Sequence, residues 1–216
     1  MKKNLTELVF ILDKSGSMSG LESDTIGGFN ATINKQKDEE GEALVSVVLF
    51  SDVSKVLYDR IKIEDVKQMT KKEYYVNGCT ALYDAIGGAI HHIKNVHKYI
   101  REEDKPEKTM FIITTDGYEN ASREYDIYKI NKMINEMKKI NNWEFIFIGA
   151  NIDAIKTARA FGIDEDNAVN YIADEEGTKK NYKAMDKAIR SYRRCGKIDE
   201  KWKVEVEEDY KKRTNK

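Results

Sequence analysis

Three short stretches of the sequence carry side chains that could do chemistry together. The first, ELVFILDKSGSMSG, is an apolar run that ends on Asp13 and is followed by hydroxyls at alternate positions, Ser15 and Ser17. The second, NGCTALYDA, contributes Thr80, and the third, TTDG, contributes Asp116. These carboxylates and hydroxyls are hard oxygen ligands, which suit Mg²⁺, Mn²⁺ or Ca²⁺ and argue against zinc or copper.

The charge of this oxygen set leaves room for an outside ligand. Ser15 and Ser17 are two residues apart, so a turning loop can aim both hydroxyls at one point. Two carboxylates and three neutral hydroxyls would neutralise a divalent cation without surrounding it with excess negative charge. Because Mg²⁺ prefers six ligands and readily keeps water, one coordination position would stay open to an oxygen of another molecule.

The elements that must position these side chains alternate between strand and helix. Strands are expected at 7–12, 43–51, 55–63, 108–115, 144–150 and 168–173. Helices are expected at 21–37, 83–101, 124–140, 153–161 and 175–194. The short linker between the second and third strands predicts a hairpin.

This order of elements predicts an α/β fold, with a doubly wound, mainly parallel sheet, one antiparallel edge strand and helices on both faces. In such sheets, ligands bind beyond the carboxyl ends of the strands, where the strand order reverses. Asp13 and Asp116 each follow a predicted strand, and Thr80 precedes a predicted helix. We therefore expect the three stretches to meet at one edge of the sheet.

A single α/β domain is expected over residues 1–195, followed by a charged extension over 196–216. In the extension, the spacing of Trp202, Val206 and Tyr210 favours a helix over the alternating pattern of a strand. We expect this helix to dock by Trp202 and to fray beyond it.

The composition argues against several partners and locations. The 37 Lys and Arg residues nearly balance the 38 Asp and Glu residues, so no net field favours nucleic acid or an anionic membrane. No apolar run reaches the roughly 18 residues of a transmembrane helix, and the apolar start is too short for a signal peptide. Cys79 and Cys195 cannot form a disulfide framework. We expect a cytoplasmic protein that is monomeric by itself.

Each stretch also has a purely structural interpretation. DKSGSMSG could be a Ser/Gly turn that caps the next helix, Thr80 with Asp84 could cap a helix, and Asp116-Gly117 could be a plain turn. Their joint placement at neighbouring strand ends favours a site over three unrelated turns. An EF-hand is excluded because Met18 stands where that loop needs glycine, and because a strand precedes the loop.

The motifs resemble those of a known family. DKSGS at 13–17, GCTALYDA around Thr80 and TDG at 115–117 are similar to the metal-ion-dependent adhesion site (MIDAS) of von Willebrand factor A (VWA) domains. The likeness of strand order extends over about residues 6–195. Within the family, the compact size and the start of the chain look most like stand-alone prokaryotic or phage VWA domains.

The resemblance implies roles for the five oxygen-bearing residues. Ser15, Ser17 and Thr80 would bind the ion directly in at least one state. Asp13 and Asp116 would bind it directly or through water. An Asp or Glu side chain of a protein partner would then complete the coordination sphere.

Two functions from different classes are open. The favoured one is a metal-dependent protein-binding module that is not an enzyme. The alternative is a hydrolase that uses a metal-bound water, but no nucleophile–base pair accompanies Asp13 or Asp116. His91, His92 and His97 lie on a predicted helix and are interpreted as ordinary surface or groove histidines.

The residues around the predicted site suit contact with another protein. Lys14, Met18, Tyr83 and Tyr118 are expected on its rim, as a mixture of one cation with adaptable or aromatic surface. Glu119 is expected to repel a second acid and so to limit which partners fit.

Overall fold

The structure, a computed structural model, describes residues 1–214 and centres on a six-stranded sheet in the order β3-β2-β1-β4-β5-β6. The strands are β1 (Lys2–Asp13), β2 (Glu42–Phe50), β3 (Ser54–Lys62), β4 (Pro106–Thr115), β5 (Glu144–Ala150) and β6 (Ala168–Tyr171). Neighbouring strands are parallel except for β2 and β3, which form an antiparallel hairpin. The predicted doubly wound, mainly parallel sheet with one antiparallel edge strand is therefore confirmed.

Helices lie on both faces of the sheet and match the predicted positions. They are α1 (Glu22–Lys37), α2 (Leu82–Tyr99), α3 (Ile127–Asn141), α4 (Ala154–Phe161), α5 (Glu175–Cys195) and α6 (Val204–Thr214). Helix α3 begins three residues later than the predicted 124, because the Asp126 carboxylate accepts a hydrogen bond from the Lys129 amide and caps the helix there (2.8 Å). Helix α5 ends where Gly196 adopts a left-handed φ of 69°.

The central strand β1 is buried on both faces, and alternate side chains serve the two halves of the core. Leu8, Phe10 and Leu12 belong to the half that includes α1 and α5, whereas Val9 and Ile11 belong to the half that includes α2, α3 and α4. A fully buried side chain of this size stabilises the fold by about 1.5–3 kcal/mol. The strand that ends at Asp13 is therefore firmly held.

The strand order reverses between β1 and β4. From β1 the chain builds outward through β2 and β3 on one side, and then returns to build β4, β5 and β6 on the other. Leu12 pairs with Thr114 in the register of β1 and β4, so their carboxyl ends lie side by side. Asp13 and Asp116 leave the sheet at this switch point, where α/β sheets commonly bind ligands.

The C-terminal extension contains the helix α6 and packs on the body of the protein. Trp202 and Val206 belong to the same half of the core as α5, and the Trp202 indole donates to the Asp166 carbonyl (2.8 Å). The described part of the chain ends within the tail, at Thr214. The division at residue 195 and the fraying of the last residues stay predictions.

None of the helices within residues 1–214 combines the length and the apolar character needed to cross a membrane.

Candidate metal centre

The Asp13 carboxylate accepts hydrogen bonds from the loop after β1 and from the end of β4. One carboxylate oxygen accepts from the Ser15 amide (2.7 Å) and the other from the Thr115 hydroxyl at the end of β4 (2.6 Å). The carbonyl of Asp13 accepts from the buried Tyr74 hydroxyl (2.5 Å). Burial raises the pKa of Asp13, and the hydrogen bonds from Thr115 and Ser15 oppose that shift.

The hydroxyls of the first loop converge on the second aspartate. The Oγ atoms of Ser15 and Ser17 are 3.1 Å apart, and Ser17 donates to one carboxylate oxygen of Asp116 (2.5 Å). These contacts join the loop after β1 to the end of β4. They form because DKSGSM turns through a short 3₁₀ segment at Gly16–Met18 instead of extending away from the sheet.

The other carboxylate oxygen of Asp116 is buried and has no hydrogen-bond partner among the described residues. Burial raises the pKa of Asp116 to about 6; the Ser17 hydrogen bond opposes this shift, and the neighbouring Asp13 carboxylate adds to it. A buried oxygen with no donor is energetically costly, and it stands beside hydroxyls that can also act as acceptors. A cation at this point would satisfy it.

Thr80 approaches the same turn from the N-terminal side of α2. A Cβ atom placed on Gly117 would lie 3.2 Å from the Ser17 Oγ and 3.4 Å from the Thr80 Oγ1, so both hydroxyls flank this glycine. The Thr80 amide donates to the Asn120 side chain (2.9 Å), and the Asn120 amide donates back to the Thr80 carbonyl (3.0 Å). The structure thus brings all five predicted residues to one edge of the sheet.

Three of the five side chains in this cluster carry hydroxyls and two carry carboxylates. Among residues 1–214 there is no group of three or more His, Cys, Asp or Glu side chains suited to hold a metal ion. Asp13 and Asp116 are the two carboxylates here, and Ser15, Ser17 and Thr80 supply the rest of the oxygen atoms. The chemistry of the donor set is therefore that of a hard-cation site.

Two residues predicted for the rim are buried instead. Met18 packs inward, and Lys14 directs its ammonium group to the Asn77 side chain (2.9 Å), at 4.6 Å from the centre of the Tyr75 ring. The Asn77 amide donates to the Lys14 carbonyl (2.9 Å), so the contact is reciprocal. Lys14 therefore ties the serine loop to the segment that leads to Thr80, and it does not present a charge to a partner.

Two acidic residues near the cluster bind backbone amides and not the hydroxyls of Ser15, Ser17 or Thr80. Glu119 accepts from the Tyr83 amide (3.0 Å) and from the amides of 121–122. Asp84 accepts from the amides of 123–125. These bonds fasten the loop after β4 to the start of α2. Sequence patterns showed Asp84 near a helix start but gave no signal for its partners, which lie about 40 residues away.

One histidine differs from its sequence interpretation. His97 is buried, and its Nε2 lies 2.5 Å from a carboxylate oxygen of Glu7 on β1. The other oxygen of Glu7 accepts from Arg60 on β3 (2.5 Å). His91 and His92 are exposed, as expected.

A comparison with models of known protein families identifies the family to which this chain belongs. The model of the von Willebrand factor type A domain matches residues 7–191. This chain belongs to the VWA family. The match includes the three motifs that meet at the switch point.

Several solved structures share this fold at low sequence identity. A von Willebrand factor type A protein from Catenulispora acidiphila is 18% identical with a TM-score of 0.58, and the match covers 86% of this chain and 42% of that one. Proximal thread matrix protein 1 from the mussel byssus, with a zinc-occupied MIDAS motif, is 14% identical with a TM-score of 0.56, covering 84% and 44%. Manganese-loaded TRAP protein from Plasmodium vivax is 16% identical with a TM-score of 0.56, covering 84% and 74%.

These likenesses concern the fold. This VWA domain spans less than half the length of the mussel and Catenulispora chains. A search of curated protein sequences gave no significant match.

Proposed function

We propose that this VWA domain is a protein-binding module in which one divalent cation captures an Asp or Glu side chain of a partner. The cation is held by Asp13, Ser15, Ser17, Thr80 and Asp116. The observation that carries the proposal is the buried Asp116 oxygen, which has no donor among residues 1–214 and lies beside three hydroxyls that converge from two loops.

The residues present fit such an ion in both charge and donor type. Asp13 and Asp116 supply the negative charge, and the three hydroxyls supply neutral oxygen atoms. When bound, the cation supplies an electrophilic position for a partner's carboxylate. Asp13 holds the serine loop through the Ser15 amide, while Asn120 holds the backbone of Thr80. The protein therefore presents a preformed set of ligands.

Mg²⁺ is the proposed ion, with Mn²⁺ and Ca²⁺ as the alternatives that the oxygen set also suits. Two of the similar structures support a divalent ion in general: TRAP is manganese-loaded, and the mussel protein has zinc in its MIDAS motif. Zn²⁺ therefore belongs among the ions tested, although hydroxyl and carboxylate oxygens are not its usual complete ligand set.

Hydrolysis is the weaker alternative because the cluster lacks a partner for proton transfer. His97 pairs with Glu7, six residues before Asp13 on β1, which places that pair about 20 Å away along the strand. Lys14 is engaged with Asn77. Neither side chain is placed to activate a nucleophile at the cluster.

The proposed setting is the cytoplasm, where the domain acts as a monomer on a protein partner and not on nucleic acid or membrane. Both cysteines are free, which is compatible with a reducing compartment. The near balance of 37 basic and 38 acidic residues supports a protein partner over a polyanion.

Capture from the native host tests this function. Immobilised wild-type protein should retain a partner in Mg²⁺ and release it in excess chelator, and Thr80→Ala should retain little. Ser19→Ala is the matched control, because Ser19 is an exposed hydroxyl of the same loop that lies outside the cluster. Equal capture by all three proteins, with and without chelator, would place the interaction on another surface.

A further inference from the structure

A cleft of about 330 Å³ opens beside the hydroxyl cluster, between α4 and the start of α2. Gly117 forms part of its wall, and the same glycine lies against the hydroxyls of Ser17 and Thr80. The cleft therefore continues directly from the proposed ion site. Its volume is at the lower end of the range for small-molecule pockets and suits one or two side chains of a partner.

The inner surface of the cleft is apolar. The Tyr83 ring packs edge-on against Phe161, with ring centres 5.8 Å apart, and the buried side chains of Leu82 and Ile152 also line it. At the rim, the Tyr118 side chain is 66% exposed. An exposed aromatic ring above an apolar floor is typical of a surface that receives a side chain of another protein.

The charges around the cleft favour an acidic partner. Glu119 and Asp153 accept hydrogen bonds from backbone amides, which offset part of their negative charge. Lys156 lines the cleft, is exposed, and forms no ion pair with any of residues 1–214. With a divalent cation in the cluster, its open coordination position and the Lys156 ammonium group would flank the apolar floor.

We propose that this cleft binds an apolar side chain of the same partner segment whose carboxylate reaches the ion, and that Lys156 contacts a second acid of that segment. The inference rests on the proposed function and adds a sequence requirement to it. The partner motif is an acidic residue, a large apolar residue close to it in sequence, and a further acid. The ion makes partner binding depend on metal, and the cleft makes the protein select among acidic segments.

Selection from random twelve-residue peptides displayed on phage tests the motif. Peptides are captured in Mg²⁺ and eluted with chelator, using wild-type protein, Ala160→Trp and Thr80→Ala in parallel. Ala160 is an exposed small residue in the cleft wall, so a tryptophan there should fill the cleft without disturbing the core. Calorimetry of Mg²⁺ binding checks that the Ala160→Trp protein keeps the Mg²⁺ affinity of the wild-type protein.

Wild-type selections should be enriched in peptides with an acid and a nearby large apolar residue. Replacing that apolar residue by serine should weaken binding about 10-fold or more. Ala160→Trp should retain the enrichment in acids and lose the enrichment in apolar residues, and Lys156→Glu should weaken binding of peptides with a second acid.

Acidic peptides selected equally by wild type and Ala160→Trp, with no apolar preference, would overturn the inference and leave the proposed function standing. If chelator elutes no peptide from the wild-type protein, the proposed function and the inference both fail.

Discussion

At the scale of single residues, the Asp116 carboxylate is held in an electrostatically unfavourable position. Its carboxylate has one oxygen bound by Ser17 and a second, buried oxygen without a donor among the described residues. Burial raises its pKa from 3.8 to about 6. The folded, metal-free protein therefore holds a proton at this position more tightly than the unfolded chain does.

This shift predicts how the stability of the metal-free protein depends on pH. Because the folded protein binds the Asp116 proton more tightly, protonation of Asp116 adds to the free energy of unfolding. This contribution is fully present below the unfolded pKa of 3.8, and it is lost as the pH rises through about 6. Two pKa units correspond to about 3 kcal/mol, which is an upper bound for the difference between pH 4 and pH 7. Urea denaturation at several pH values, in chelator, should show this change in wild type relative to Asp116→Asn. Parallel pH profiles for the two proteins would contradict it.

Tyr74 is expected to stabilise the fold through its hydrogen bond to the backbone of Asp13. Its buried hydroxyl donates to the Asp13 carbonyl (2.5 Å), so Tyr74→Phe should lower the free energy of unfolding by about 1–2 kcal/mol. The control is Tyr58→Phe, whose hydroxyl binds the carbonyl of Lys67 at an exposed position and should contribute less. Denaturant titration gives the free energy of unfolding of both variants. An equal loss of stability in the two variants would contradict the expected role of Tyr74.

At the scale of elements, hydrophobic patterns in the sequence predicted the strands and helices well. Continuous apolar runs identified strands buried on both faces, and these strands fix where Asp13 and Asp116 leave the sheet. Residue types and spacing then indicated the oxygen cluster. These features were predictable because strand and helix periodicity is local, and because the ends of parallel strands meet at one edge.

Contacts between distant charged groups were not predictable from the same patterns. Glu7 lies within a predicted strand, yet nothing in the sequence showed that it would be fully buried between Arg60 and His97. Arg60 reaches it from an irregular part of β3, where its own φ is 50°. The burial of Lys14 was missed for a similar reason, since its partner Asn77 lies in a loop with no periodic pattern.

The Glu7 cluster is expected to contribute strongly to the stability of the sheet. Glu7→Ala would leave Arg60 without its carboxylate in a largely buried position, which typically costs about 3–5 kcal/mol. Glu42→Ala is the control, because Glu42 pairs with Lys2 at an exposed position and should cost less than about 1 kcal/mol. Denaturant titration measures both. A loss of stability at Glu7 no larger than at Glu42 would contradict the assigned role.

At the scale of the whole molecule, the tail joins the body through more than one type of contact. Trp202 is 1% exposed and donates to the Asp166 carbonyl, while Glu205 accepts from Lys183 and Lys187 of α5. The helical spacing of the tail was visible in the sequence. The sequence did not predict that the tail helix would dock beside β6 and α5. Pairs of charged surface residues form once the fold has brought them together, so their presence in the sequence does not predict the docking position.

Loss of the Trp202 side chain should therefore destabilise the entire fold. Trp202→Ala is expected to lower the free energy of unfolding by about 3–5 kcal/mol, because it leaves a cavity in the core. Tyr210→Ala, at a half-buried position of the same helix, should have a smaller effect. Thermal unfolding of the two variants separates these outcomes. Unchanged stability of Trp202→Ala would instead support residues 1–195 as a domain that is independent of its extension.

Calorimetric titration of Mg²⁺ into chelator-stripped protein tests the central claim most directly. The account predicts one binding site in the wild-type protein, strong weakening in Asp13→Ala, Ser17→Ala and Thr80→Ala, and no change in the Ser19→Ala control. Binding that is absent in wild type, or that is unchanged in Asp13→Ala, would contradict the assignment of these oxygen atoms to a metal ion.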